Sequence, residues 1–150
     1  MNRILFQFVT ACPGGWVDAR EVNLGCLYFD FNINSISWPN AKQHCENLNY
    51  GTFPHDTHLI EIFSDEQMTF LKNTDEIKQD TWWWNGLNNY ENSNEFIWSH
   101  SKLKLNFTPP WGSGEPNKNP NSNVRMYHNG NNHEWRDIQS YSTHPICQFT

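Results

Sequence analysis

Apolar residues recur at helical spacing in two segments of the chain, and the first follows Ser37. This spacing predicts a helix that runs to about Leu48, with Ser37 at its N-cap and Pro39 in its first turn, where a missing N–H costs nothing. One face of this helix is apolar and carries Trp38, Ala41, Cys45 and Leu48. We therefore expect that face to lie against the core.

A second helix is predicted to begin at Ser64, because Gln67 lies three residues later and completes a capping box. It runs to about Lys72, and its apolar contacts are Met68, Phe70 and Leu71. Short apolar and alternating segments predict strands at Leu27–Phe31, Leu59–Ile62, Trp82–Leu87, Glu95–Trp98, Val124–Tyr127, Glu134–Ile138 and Pro145–Phe149.

The stretch between Asn106 and Asn123 is dense in Pro, Gly and Asn, and its apolar residues show neither helical spacing nor the alternation of a strand. A loop of this length inside a compact domain is usually functional or disordered. We therefore look for the chemistry of the protein in this stretch, which is called the long loop below.

Composition narrows the class of protein. The 150 residues fit one domain, and 10 Lys and Arg against 16 Asp and Glu give a net charge of −6. An acidic chain lacks the positive surplus that nucleic acid requires, so nucleic acid is excluded as the expected partner. No apolar run reaches the length of about 18 residues that a membrane-spanning helix needs.

Four cysteines, Cys12, Cys26, Cys45 and Cys147, occur without a C-x-x-C pair. This spacing argues against zinc ribbons and redox motifs and leaves three disulfide pairings open. Residues 1–11 carry Arg3 before an apolar run and end in small residues, so they are interpreted as a short or truncated signal segment. A first β-strand is the alternative for residues 1–11, and the domain itself is expected over residues 12–150.

Several short motifs occur in an order that resembles a C-type lectin-like domain of the long form. In the first half these are Cys12–Trp16, Cys26 with Tyr28 and Phe29, the helical set Trp38, Ala41 and Cys45, and Leu59–Ile62 with Ser64 and Glu66. In the second half they are Trp84–Leu87, Phe96–Trp98, Trp111 with Gly114–Asn117, Trp135–Asp137 and Pro145–Cys147. The Trp84–Leu87 segment matches the W-I-G-L signature of the family except at Asn85.

The resemblance implies an α+β fold in which two helices pack on small antiparallel sheets and a long irregular loop binds the ligand. It also implies the pairings Cys12–Cys26 and Cys45–Cys147. In that arrangement the first disulfide closes a hairpin, and the second joins the first helix to the last strand.

In the family, sugar is bound through a calcium ion held by the long loop and an adjacent strand. The resemblance assigns the ligands to Glu115, Asn117 and Asp137, with Asn121 as a further position, and it places Pro116 after a cis peptide bond. Carboxylates and amide carbonyls are the oxygens that Ca²⁺ prefers. The order Glu, Pro, Asn resembles the domains that recognise mannose, fucose and N-acetylglucosamine.

Three departures weaken the expected site. Arg136 stands where the family has an asparagine ligand, and a guanidinium offers no acceptor. Asn121 stands where a further carboxylate is expected. Asn123 and Ser140 occupy the positions of a second family disulfide, so the long loop is expected to be less constrained without calcium. We therefore expect weak calcium binding, with Arg136 beside the ion among the sugar-binding residues. The alternative is that Arg136 points away from the loop and pairs with Glu134 or with an acidic group of a ligand.

The resulting expectation is a secreted, extracellular protein that binds glycans or glycoproteins in a calcium-dependent manner, with self-association left open. The alternative is a calcium-independent module of the same fold that binds a protein or another non-sugar ligand. Asn106 begins an N-x-S/T sequon and is the expected glycosylation site.

No motif of an enzyme accompanies the seven histidines. His55 with His58 and His128 with His133 are the pairs that a metal or catalytic interpretation would need. Hydrogen-bonded or solvated histidine is favoured for both pairs. The run Trp82–Trp84 is interpreted mainly as core, with sugar stacking as the alternative.

Overall fold

The computed structural model describes residues 11–48 and 56–150. In this part of the chain there are two α-helices and eight strands. The helices are α1, Trp38–Glu46, and α2, Asp65–Lys72. The strands are β1, Val17–Ala19; β2, Gly25–Phe29; β3, His58–Leu59; β4, Trp83–Asn92; β5, Glu95–Trp98; β6, Asn123–Asn129; β7, Asn132–Ile138; and β8, His144–Phe149. The predicted signal segment lies almost wholly outside the described residues, as does His55.

The strands form one sheet in the order β1-β2-β8-β4-β6-β7, with β3 paired to β8 and β5 paired to β4. Neighbouring strands are antiparallel except β4 and β8, which run parallel through Trp83 and Trp84. The small antiparallel sheets expected from the sequence are thus joined by this parallel pair into one mixed sheet. The α+β class is confirmed.

Helix α1 buries the face that the spacing predicts, since Trp38, Ala41 and Cys45 share a core cluster and Leu48 packs against it. The Trp38 indole N–H donates to the Asn85 carbonyl at 2.7 Å, which ties the helix to β4. Ser37 lies at the N-cap, but its side chain makes no capping hydrogen bond, so only its backbone carbonyl serves the first turn.

Helix α2 begins as its sequence predicts. The Ser64 hydroxyl accepts the Gln67 N–H at 3.1 Å, while the Gln67 side chain accepts the Phe63 N–H at 2.7 Å. The reciprocal bond of the capping box therefore reaches one residue beyond the cap. Met68 and Leu71 are buried, and Phe70 packs at the edge of the core.

All seven predicted strands are present, with shifted ends. The segment Leu59–Ile62 pairs as a strand only at His58–Leu59, because Ile60 bonds to Ile146 and Gly86 from an irregular turn. Strand β1 was not predicted, since three residues are too few to show an alternation of apolar and polar side chains. Both implied disulfides, Cys12–Cys26 and Cys45–Cys147, are confirmed.

Candidate functional site

The long loop lies along the outer strand of the sheet. The Trp135 N–H of β7 donates to the Pro110 carbonyl at 2.9 Å, and the Gly112 N–H donates to the Trp135 carbonyl at 2.9 Å. Gly112 permits this approach, because a Cβ there would lie 2.7 Å from a carboxylate oxygen of Glu134. Residues 113–118 are therefore placed beside the second half of β7.

Asp137, buried at 2% exposure, holds the turn of the loop through its carboxylate. Its Oδ1 accepts the Asn117 N–H and its Oδ2 accepts the Lys118 N–H, each at 2.7 Å. The Asn117 side-chain amide donates to the Asp137 carbonyl at 3.2 Å. The Glu115–Pro116 peptide bond is cis, as predicted. Asp137 therefore brings the backbone of the loop and the side chain of Asn117 to the end of β7.

Glu115 completes this cluster, and its side chain is only 10% exposed. Its Oε2 accepts the Asn117 N–H at 3.2 Å. Burial, followed by the neighbouring Asp137 carboxylate, raises the pKa of Glu115 to about 7. Without a cation the site thus disfavours two ionised carboxylates side by side.

Arg136 lies beside the cluster and contacts two carboxylates. Its Nε donates to Glu134, while its Nη1 lies 3.5 Å from Oε1 of Glu115. The guanidinium therefore flanks the predicted ion site, and it pairs with Glu134 without pointing away from the loop. Its positive charge opposes that of any cation held by Glu115.

Asn121 does not join the cluster. It is exposed, its φ is 57°, and no hydrogen bond links its side chain with Glu115, Asn117 or Asp137 in the described part of the chain. The structure thus brings together Glu115, Asn117, Asp137 and Arg136 from the predicted set, and leaves Asn121 outside.

The clustered donors suit a hard cation. Two carboxylates and one amide carbonyl are oxygen ligands, and each oxygen keeps a lone pair beyond the hydrogen bond it accepts. Among the described residues, no three Asp, Glu, His or Cys side chains form a metal-binding group. Ca²⁺, which takes six to eight oxygens, would need water or ligand hydroxyls to complete its shell. The residues therefore fit calcium, but only as a weak site.

The base of the long loop is held by a buried asparagine that the sequence did not reveal. Asn89 of β4 accepts the Ser122 N–H at 2.6 Å and donates to the carbonyls of Asn119 and Ser93 at 2.9 and 3.0 Å. Close by, the Tyr90 hydroxyl donates to Asn123, one of the positions of the missing disulfide. Polar contacts thus hold the loop base where the family has a covalent bond.

The tryptophan run divides between core and surface. Trp83 and Trp84 are fully buried in separate clusters, which excludes them as stacking surfaces, whereas Trp82 is partly exposed. The Trp82 ring lies over the guanidinium of Arg125. Sugar stacking therefore stays open for Trp82 alone.

The predicted cross-strand histidine pair is present. His128 and His133 face each other across β6 and β7, with their Nδ1 atoms 2.9 Å apart. The Trp135 indole N–H donates to Nε2 of His128 at 3.0 Å, so a neutral His128 carries its proton on Nδ1 and donates to His133. Burial lowers the pKa of His128 to about 3. The pair is thus hydrogen-bonded rather than arranged as a metal site.

The other histidine of the first pair, His58, stacks on His100 with ring centroids 3.8 Å apart, and its Nδ1 bonds to the Leu59 carbonyl. Asn106 is exposed on the long loop, where its sequon remains a predicted modification site.

Known proteins with this organisation are C-type lectins. The chain is 31% identical over 108 residues to CD209 antigen-like protein A of mouse, and the match covers 71% of this chain and 40% of the relative. It is 29% identical over 142 residues to C-type lectin BfL-2 of Bungarus fasciatus, and this match covers 91% of this chain and 82% of the snake protein. No family sequence profile matches the chain.

Among solved structures, the carbohydrate-recognition domain of cow CD23, determined in the presence of a GlcNAc2Man3 oligosaccharide, superposes with a TM-score of 0.67. That comparison has 27% identity and covers 92% of this chain and 95% of the CD23 domain. The chain therefore has the C-type lectin-like fold, and its relatives are C-type lectins and C-type lectin-like proteins. In the described residues, no helix is both long and apolar enough to cross a membrane.

Proposed function

We propose that this chain binds saccharides through a calcium ion held by Glu115, Asn117 and Asp137. The observation that carries the proposal is the convergence of these three oxygen-bearing side chains at one turn of the long loop. The lectin relatives and the oligosaccharide in the CD23 crystals support a carbohydrate ligand. When bound, the ion would supply a Lewis-acidic centre for vicinal sugar hydroxyls.

The residues around the ion would recognise those hydroxyls directly. Glu115 can accept a hydrogen bond, and the Asn117 amide can donate one, if its bond to the Asp137 carbonyl at 3.2 Å opens. The Glu-then-Asn order favours mannose, fucose and N-acetylglucosamine, in keeping with the resemblance. The proposed partners are glycans or glycoproteins, and the proposed location of residues 12–150 is extracellular, since both disulfides suit an oxidising compartment.

Calcium affinity is expected to be weak, on the order of 10⁻⁴–10⁻³ M, as in other extracellular modules. Calorimetric titration with Ca²⁺, followed by a glycan array with and without chelator, tests the proposal. Glu115→Ala should abolish both calcium binding and the chelator-sensitive glycan signals. Glu91→Ala serves as the matched control, because Glu91 is an exposed carboxylate at the end of β4. Calcium binding that persists in Glu115→Ala would place the ion elsewhere.

A calcium-independent module that binds a protein or another non-sugar ligand is the second candidate. The observation in its favour is the Arg136 guanidinium, whose Nη1 lies 3.5 Å from Glu115 and partly neutralises the site without an ion. In that case the array gives no chelator-sensitive signal, and calorimetry detects no calcium at millimolar concentration. Turnover of a substrate is not expected for either candidate, since the relatives are lectins.

A further inference from the structure

The outer face of the sheet, next to the candidate calcium site, carries two arginines in direct opposition. Arg125 of β6 pairs in register with Arg136 of β7. Like charges directly opposite each other destabilise a strand pair, so this face gains from any anion that lies between or over them. Three of their four neighbours in sequence, Val124, Met126 and Trp135, are buried in the hydrophobic core.

In the described part of the chain, carboxylates form ion pairs with only one of the two arginines. Glu134 and Glu115 both lie against Arg136, and Asp80 accepts the Tyr127 hydroxyl at 2.8 Å. Among the described residues no carboxylate forms an ion pair with Arg125. Within residues 11–48 and 56–150 its Nε is buried without a hydrogen-bond acceptor. Burial, and to a smaller degree the charge of Arg136, lower the pKa of its guanidinium from the ordinary value, while Tyr141 and the more distant Glu115 act in the opposite direction.

The Arg125 guanidinium is held between two aromatic rings. Its central carbon lies 4.0 Å from the ring centroid of Trp82 and 4.1 Å from that of Tyr141. The loop that carries Tyr141 is fixed, because Thr143 exchanges two backbone hydrogen bonds with Ile36 and its hydroxyl donates to the Trp82 carbonyl. Contact with the two rings restrains the guanidinium and limits the directions from which an acceptor can approach it.

We infer that Arg125 binds an acidic group, a sulfate or a carboxylate, carried by a saccharide. A planar guanidinium with a fixed orientation matches two oxygens of such a group. The saccharide follows from position, since Arg136 links Arg125 on one side with Glu115 of the candidate sugar site on the other. The net charge of −6 repels acidic glycans in general, so a local cation is what would select among them.

This inference rests on the proposed function for the choice of a saccharide and goes beyond it, because Arg125 requires no calcium. The test is calorimetry of the whole chain in the presence of chelator, with three probes on one scaffold: a neutral N-acetylglucosamine oligosaccharide, its 6-O-sulfated form and its sialylated form. At least one acidic probe should bind about tenfold or more tightly than the neutral probe. The acidic probe that binds more tightly shows whether Arg125 prefers a sulfate or a carboxylate. Equal binding of all three probes would overturn the inference.

Substitution then assigns the effect to Arg125. Arg125→Gln should weaken the preferred acidic probe about tenfold or more, and Arg125→Lys should recover only part of the loss, because an ammonium lacks the planar fork. The control Lys42→Gln removes one positive charge from α1, where Lys42 pairs with Glu46, and should leave the affinity unchanged. An unchanged affinity in Arg125→Gln, or an equal loss in Lys42→Gln, contradicts the inference.

If Arg125→Gln does not fold, as judged by thermal denaturation, Tyr141→Leu replaces it. Tyr141 is 37% exposed, and its replacement keeps the cation but removes one of the two rings that restrain the guanidinium. A several-fold loss for the acidic probe is expected, and no loss overturns the inference. Neutral glycan binding in the presence of calcium reports on the proposed function separately, so failure of one idea leaves the other intact.

Discussion

At the candidate calcium site, a single guanidinium stands beside the ligands as a fixed positive charge. Arg136→Asn should raise calcium affinity about tenfold, because it removes a cation whose Nη1 lies 3.5 Å from Glu115 and adds an amide oxygen. A larger gain in calcium affinity is not expected, since the Arg136 side chain is 35% exposed and solvent screens its charge. Calorimetric titration of the variant with Ca²⁺ measures the change.

The control for this substitution is Lys42→Asn, which removes the same charge from α1 and should not alter the calcium affinity. No gain in Arg136→Asn would mean that its guanidinium does not act on the ion. Mannose-type binding should rise together with calcium affinity if both depend on the same site.

The raised pKa of Glu115 predicts a pH dependence of calcium binding. Burial and the nearby Asp137 carboxylate raise this pKa to about 7, so Glu115 is largely protonated at pH 6 and largely ionised at pH 8. Because Ca²⁺ binds the ionised carboxylate, binding releases a proton, and the apparent affinity should fall about tenfold from pH 8 to pH 6. Titrations at both pH values in two buffers of different ionisation enthalpy measure the affinity and the proton release.

The same shift has the opposite sign for the stability of the calcium-free protein. A carboxyl with a raised folded-state pKa stabilises the fold below its unfolded pKa, and this contribution is lost as the pH rises through about 7. Calcium should therefore stabilise the protein more at pH 8 than at pH 6. Equal calcium affinity at both pH values would contradict the role of Glu115 as a ligand.

At the scale of elements, Asn89 replaces a covalent constraint at the base of the long loop. Asn89→Ala would leave the buried Ser122 N–H and the Ser93 carbonyl without this partner, while the Asn119 carbonyl would keep only the Ser122 hydroxyl. The free energy of unfolding should therefore fall by about 2–4 kcal/mol. Urea denaturation measures this loss. Asn132→Ala, at an exposed position of the β6–β7 turn, should change stability by less than about 0.5 kcal/mol.

The β6–β7 hairpin carries a second pH-sensitive element, in which Trp135 donates to His128 and His128 donates to His133. Protonation of His128 removes its acceptor for Trp135. Because its folded-state pKa is lowered to about 3, its contribution to stability is complete above the unfolded pKa of about 6.5 and is lost as the pH falls towards 3. The contribution of His128 to the free energy of unfolding should therefore fall by about 3 kcal/mol between pH 7 and pH 4.

Thermal or urea denaturation between pH 7 and pH 4 tests this, with His128→Gln as the comparison. The glutamine carbonyl can still accept from Trp135 but does not titrate in this range. The pH-dependent difference between the two proteins isolates His128 from the carboxylates. Parallel stability curves would show that His128 does not contribute.

Across the molecule, the sequence predicted those features that local residue spacing or a family motif specifies. The capping pair Ser64 and Gln67, the apolar face of α1 and the pairing of the four cysteines are confirmed. These features depend on local spacing or on a covalent bond that the family resemblance specifies. The candidate calcium ligands Glu115, Asn117 and Asp137 were likewise predicted from the family motifs that contain them.

Features that depend on long-range packing could not be predicted. The Asn89 side chain joins β4 to residues about 30 positions away, and an isolated asparagine carries no signal of such a role. The parallel pairing of β4 with β8 requires both strands to be placed first. The position of Arg125 between Trp82 and Tyr141 depends on three segments that meet only in the folded sheet.

The disulfide between Cys45 and Cys147 has a mechanical consequence. The whole candidate site, from Glu115 to Asp137, lies inside the covalent ring that this bond closes. Tension applied to the two ends of the chain enters that ring at Cys45 and leaves at Cys147, so it passes across the sulfur bridge and bypasses the loop. A chain pulled at its two ends would thus keep the candidate binding loop unstretched while the bond is intact.

Single-molecule stretching tests this consequence. With the disulfide intact, the residues between Cys45 and Cys147 should contribute no extension. After reduction, the sequence separation of 102 residues should add about 350 Å of contour length. Oligosaccharide binding to the chain held under tension should survive in the oxidised protein and disappear after reduction, when the force reaches the long loop directly.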